Sequence, residues 1–117
     1  MPLRILIVEN EELIALDLQD IVEGAGHTVV GRAASQAEAV RLARKAKPTV
    51  ALVDMELDDG ANGLDVAVAL HEAAGTLPLF ITGRSDFLIR AMALDFEPLG
   101  YITKPYKADE VLAALVT

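Results

Sequence analysis

The 117-residue sequence contains no cysteine. A disulfide framework, a thiolate zinc site and a cysteine nucleophile are therefore all excluded, which suits a reducing compartment. Long apolar runs are missing as well. None approaches the roughly 20 residues that a membrane span needs. The N-terminus lacks a secretory leader pattern, because Arg4 is followed at once by the short run 5–8 and then by acids. A cytoplasmic protein without membrane insertion is expected. Positive charge is scarce: ten Lys and Arg stand against eighteen Asp and Glu, giving a formal net charge of −8. Direct nucleic-acid binding is not expected, since phosphate contacts need clustered cations. Linkers, repeats and low-complexity segments are also missing, and the length fits one domain, residues 1–117.

What is present can build a core. Hydrophobic residues make up 53% of the chain and charged residues 24%, a globular composition, and a domain of this size needs no staples. Residues 3–8 form a short apolar run relieved only by Arg4, which reads as a strand buried on both faces. Residues 13–25 read as a helix, with Ile14, Leu18, Ile21 and Ala25 on one face. Gly24 and Gly26 lie near its end, where a left-handed cap is useful. A second strand spans 28–34. Ser35 and Glu38 form a capping box for the next helix, which stops before Pro48. The third strand, 49–53, ends at Asp54, and a loop with Asn62 and Gly63 leads to a helix over 64–74. Strands over 78–82 and 99–103, a helix over roughly 87–96 and a last helix over 108–116 complete the chain.

Five strands alternating with five helices imply right-handed crossovers and a parallel sheet covered on both faces. The simplest arrangement is an α/β flavodoxin-like, doubly wound sheet of order 2-1-3-4-5. All five strand ends then share one edge, where open α/β sheets bind ligands. Past the strands stand Glu9 and Asn10, then Asp54, Thr82 and Lys104. Each alone has an ordinary explanation as a cap, a strand residue or a surface charge. Together they suit phosphoryl transfer to a carboxylate: an aspartate nucleophile forming an acyl phosphate, a hard cation, normally Mg²⁺, held by carboxylates and carbonyls, and a lysine and a hydroxyl that meet phosphoryl oxygens.

The segments 5–12 (ILIVENEE), 50–57 (VALVDMEL), 79–83 (LFITG) and 100–105 (GYITKP) make the sequence resemble, end to end, the receiver domain of bacterial response regulators. The resemblance implies a two-component phosphorelay function, with Asp54 as phosphoacceptor. It implies Mg²⁺ bound by Glu9, Asn10, Asp54 and the backbone carbonyl of Glu56. Thr82 and Lys104 match the family's switch hydroxyl and lysine, and Tyr101 matches an aromatic that swings inward on activation in many members. The implied partner is a sensor histidine kinase or a histidine phosphotransfer protein, with no catalytic activity of the chain's own.

Two features depart from the family pattern. Asn10 stands where a second acid is usual, which should weaken Mg²⁺ binding because an amide oxygen carries no charge. The segment Phe80-Ile81-Thr82-Gly83 is similar to the Phe-Ala-Thr-Gly signature of mostly stand-alone alphaproteobacterial receivers, with Ile81 in place of alanine. Two rival readings use the same residues. One is a degenerate receiver that binds proteins without being phosphorylated, which Asn10 supports. The other is a phosphohydrolase with Asp54 as nucleophile and Glu56 as acid, resembling haloacid dehalogenase-like enzymes, although the chain is short for their cap. His27 and His71 read as surface or packing residues rather than phospho-carriers. Phe87, Ile89 and Met92 read as helical core.

Overall fold

The structure, a computed structural model, describes residues 2–57, 62–83 and 94–116. The elements follow the order β1 (Arg4–Val8), α1 (Glu12–Gly24), β2 (Thr28–Ala33), α2 (Gln36–Ala46), β3 (Val50–Asp54), α3 (Gly63–Ala74), β4 (Leu77–Thr82), β5 (Gly100–Thr103) and α4 (Ala108–Leu115). The strands form one sheet of order β2-β1-β3-β4-β5, with every neighbouring pair parallel. This is the flavodoxin-like order expected from the sequence. Four helices are present among the described residues, one fewer than expected. The helix expected over 87–96 falls mostly outside the described residues, together with Phe87, Ile89 and Met92, and residues 94–96 are not helical.

Side-chain alternation in the central strands divides the core into two layers. Leu6, Val8, Ala51, Val53 and Phe80 face α2 and α3, where Ala39, Ala43, Val66, Ala67 and Leu70 are buried. Ile5, Ile7, Val50, Leu52, Leu79 and Ile81 face α1 and α4, where Ala15, Leu18, Val22, Val111 and Leu115 are buried. Burial on both faces is why these strands are continuous apolar runs. Each such large side chain stabilises the fold by about 1.5–3 kcal/mol.

The buried stripe of α1 differs from the expected one. Ala15, Leu18 and Val22 are buried, whereas Ile14 and Ile21 are half-buried and Ala25 is exposed. The helix carries more apolar residues than its core face needs, with Leu13 82% exposed, so periodicity alone placed the stripe about one residue off. The cap of α2 is close to expectation. The Glu38 N–H donates to Ser35 Oγ (3.3 Å), but the Glu38 carboxylate reaches back to the N–H of Ala34 rather than of Ser35 (2.9 Å).

Candidate functional site

The backbone ladders place the site residues before any side chain acts. β1 and β3 lie side by side with Val8 opposite Val53, so Glu9 and Asp54 leave the sheet next to each other. The Glu9 N–H donates to the Ala33 carbonyl (2.9 Å), which carries the β1–β2 ladder one residue past the strand. The Lys104 N–H donates to the Thr82 carbonyl (2.8 Å) and does the same for β4 and β5. Asp54 is itself the last residue of β3, opposite Ile81.

Three of these polar residues are deeply buried: Glu9 is 6% exposed, Asp54 5% and Thr82 0%. Asp54 Oδ1 accepts a hydrogen bond from the Glu56 N–H (3.0 Å), which fixes the carboxylate over its own turn. Lys104 Nζ lies 3.7 Å from Asp54 Oδ2, 3.5 Å from Glu9 Oε1 and 4.0 Å from Glu11 Oε2. One ammonium therefore stands among three carboxylates. Burial, followed by the adjacent Asp54 carboxylate, pushes Glu9 up to about 8, while Lys104 pulls it back down. A further positive charge at this edge would pull it down again.

The site fits a hard divalent cation. Glu9 Oε1 and Asn10 Oδ1 are buried without a hydrogen-bond partner. Glu9 Oε1 still has the Lys104 ammonium at 3.5 Å, so Asn10 Oδ1 is the uncompensated acceptor of the two. Leaving such an acceptor unsatisfied costs about 1–3 kcal/mol, which a cation would relieve. Asn10, Glu11, Asp54, Glu56 and Leu57 line an open pocket of about 410 Å³. Among the described residues, no three acids or histidines gather as a metal cluster. The oxygens that the sequence assigns to a cation are the Glu9 and Asp54 carboxylates, the Asn10 amide and the Glu56 carbonyl.

Tyr101 is 41% exposed on β5, and its ring stacks on that of Phe80 with centroids 5.9 Å apart. The histidines lie away from the site residues. His27 Nδ1 accepts from the Leu3 N–H (3.0 Å), and the His71 ring stacks on Phe96 at 3.9 Å.

Two residues of the site are not among those the sequence singled out as site residues. Glu11 reaches Lys104 and lines the pocket. Its signal in the sequence was weak, the second of three acids in the run 9–12. Gly63 opens α3 directly against the turn after Asp54: a Cβ built there would stand 2.6 Å from the Asp54 carbonyl oxygen and 2.7 Å from Met55 Cα. The Gly63 N–H donates to the Met55 carbonyl (3.0 Å), and Asn62 caps the helix by accepting from the Asp65 N–H (2.9 Å).

Comparison with known proteins gives one consistent result. Residues 5–116 match the model of the response regulator receiver domain. The phyllosphere-induced regulator PhyR of Methylorubrum extorquens is 38% identical over 116 residues, covering 98% of this chain and 43% of that protein. The transcriptional regulatory protein PdtaR of Mycobacterium tuberculosis is 31% identical over 117 residues, covering 98% and 56%. The chain thus spans about half the length of these curated relatives. Among solved structures, the receiver domain of the Erythrobacter litoralis PhyR response regulator aligns with a TM-score of 0.87 at 31% identity, covering 97% of this chain and 87% of that one. The response regulator PhyR of Brucella abortus aligns with a TM-score of 0.87 at 36% identity, covering 98% and 46%. No described helix is long and apolar enough to cross a membrane.

Proposed function

The chain belongs to the response regulator receiver domain family, and on that premise we propose that residues 1–117 act as one phosphorylation-controlled switch with Asp54 as the phosphoacceptor. The observation that carries this reading is the position of Lys104, whose ammonium lies within 4.0 Å of both the buried Asp54 and the buried Glu9. The donor is a sensor histidine kinase or a histidine phosphotransfer protein. An Asp54 carboxylate oxygen attacks the phosphorus of phosphohistidine, the P–O bond forms as the P–N bond breaks, and the imidazole leaves with the electron pair and takes up a proton. Glu9, the Asn10 amide, Asp54 and the Glu56 carbonyl would hold Mg²⁺, whose chemistry is to offset charge on the phosphoryl oxygens.

The acyl phosphate carries roughly −1.5 to −2 units of charge where the carboxylate carried one, and places it on phosphoryl oxygens at the sheet edge. Lys104 exchanges a carboxylate partner for a phosphoryl oxygen, and the Thr82 hydroxyl donates to another. Both residues are tied to β4 and β5 through the Lys104 N–H to Thr82 carbonyl bond, so their movement reaches Tyr101 on β5. With acetyl phosphate and Mg²⁺, the amide resonances of Thr82, Tyr101 and Lys104 are expected to shift together in an NMR spectrum. Lys104→Ala should still be phosphorylated, but the shifts beyond Asp54 and its neighbours should collapse. Full wild-type shifts in the phosphorylated Lys104→Ala protein would contradict this switch.

Asn10 favours a second reading, a receiver that binds its partners without being phosphorylated, because the site lacks one of the usual charges. Asn10→Asp is expected to tighten Mg²⁺ binding about tenfold, the equivalent of about 1.4 kcal/mol. Metal titration of both proteins at equal ionic strength checks this. Equal or weaker binding by Asn10→Asp would show that the amide is not a compromised ligand.

A further inference from the structure

We propose that Glu11 supplies the negative charge that Asn10 withholds from the cation site, acting from the mouth of the pocket rather than from within it. The inference rests on the reading of Glu9, Asn10, Asp54 and Glu56 as a Mg²⁺ site. The metal-facing residues alone are poor in usable charge. Lys104 engages Glu9 at 3.5 Å, more closely than it engages Glu11 at 4.0 Å, and Asn10 is neutral. Glu11 lies one residue further on, immediately before α1. It shares the walls of the pocket with Asn10, Asp54 and Glu56, and its Oε2 lies 4.0 Å from Lys104 Nζ.

An independent sign of a ligand at this edge is Asn10 Oδ1, a buried acceptor that makes no hydrogen bond. Glu11 itself makes no capping hydrogen bond to α1, so its carboxylate is not committed to the helix end. The next acid provides an internal contrast. Glu12 is only one residue further along, but its carboxylate is paired with Arg32 at 3.0 Å and does not line the pocket. The Glu11 side chain is 63% exposed, so water and salt screen its charge and the effect is moderate.

The test is a titration of the whole chain with Mg²⁺ alone, followed by NMR at fixed ionic strength and with no phosphodonor. Glu11→Gln is expected to weaken binding about threefold, on the scale of one screened charge near a divalent ion. Glu12→Gln should change it by clearly less. Wild-type binding that Glu11→Gln leaves unchanged or tightens, or that Glu12→Gln weakens as much, would overturn the assignment of Glu11 while leaving the metal site standing. No Mg²⁺ binding by the wild-type protein would remove the metal site, and this inference with it. Because Glu11 is exposed and caps nothing through its side chain, the Gln variant is expected to keep the wild-type spectrum outside the site.

Discussion

Asp54→Asn is expected to leave the fold intact and to remove all phosphorylation by acetyl phosphate. The side chains have the same shape, and the amide oxygen can still accept the Glu56 N–H that now binds Asp54 Oδ1. What disappears is the nucleophile, since an amide oxygen does not form the acyl phosphate. Lys104 loses one of its carboxylate partners but keeps Glu9 at 3.5 Å. Glu9 in turn loses a neighbouring negative charge that helps hold its acidity back, so its ionisation should become easier. Intact mass after incubation reads the first effect, and thermal unfolding confirms the fold. Phosphorylation of Asp54→Asn to the wild-type extent would place the acceptor elsewhere.

Gly63→Ala is expected to destabilise the protein by about 2 kcal/mol and to disturb the site as well. The new methyl group would meet backbone on the far side, with Asp54 O at 2.6 Å and Met55 Cα at 2.7 Å, so no flexible side chain can give way. Relief requires α3 to move off the turn that carries Asp54 and Glu56, which also strains the Gly63 N–H to Met55 carbonyl bond. Gly24→Ala, by contrast, meets nothing within 4 Å at the end of α1 and should be close to neutral. Denaturant unfolding of both variants separates the two cases. An unfolding midpoint for Gly63→Ala equal to that of the wild type would show that the contact relaxes at no cost.

Much of this architecture is legible in the sequence because the central strands are buried on both faces. Residues 5–8 and 50–53 are almost uniformly apolar, and each run ends abruptly in a polar residue. In a parallel sheet those ends must share an edge, so Glu9, Asp54, Thr82 and Lys104 could be grouped without knowing any distance. Details that depend on surplus or on tertiary approach were harder to read. The apolar excess of α1, including the exposed Leu13 and Leu16, blurred which residues are core. The contact of Gly63 with the backbone of residues 54 and 55 joins a helix start to a strand end, and glycine in a loop gives no hint of what lies opposite. The sequence gathers Lys104 and Asp54 at one edge, but the reach of Lys104 to Glu9 and Glu11 depends on how a flexible side chain settles among neighbouring acids.

The most direct measurement is the intact mass of the wild-type chain after incubation with acetyl phosphate and saturating Mg²⁺, followed by reductive trapping and peptide mapping of the acyl phosphate. The account predicts the addition of a single phosphoryl group, carried by the peptide that contains Asp54 and lost when Mg²⁺ is chelated beforehand. An unmodified mass at saturating Mg²⁺, or a phosphoryl group mapped to any other residue, would contradict it.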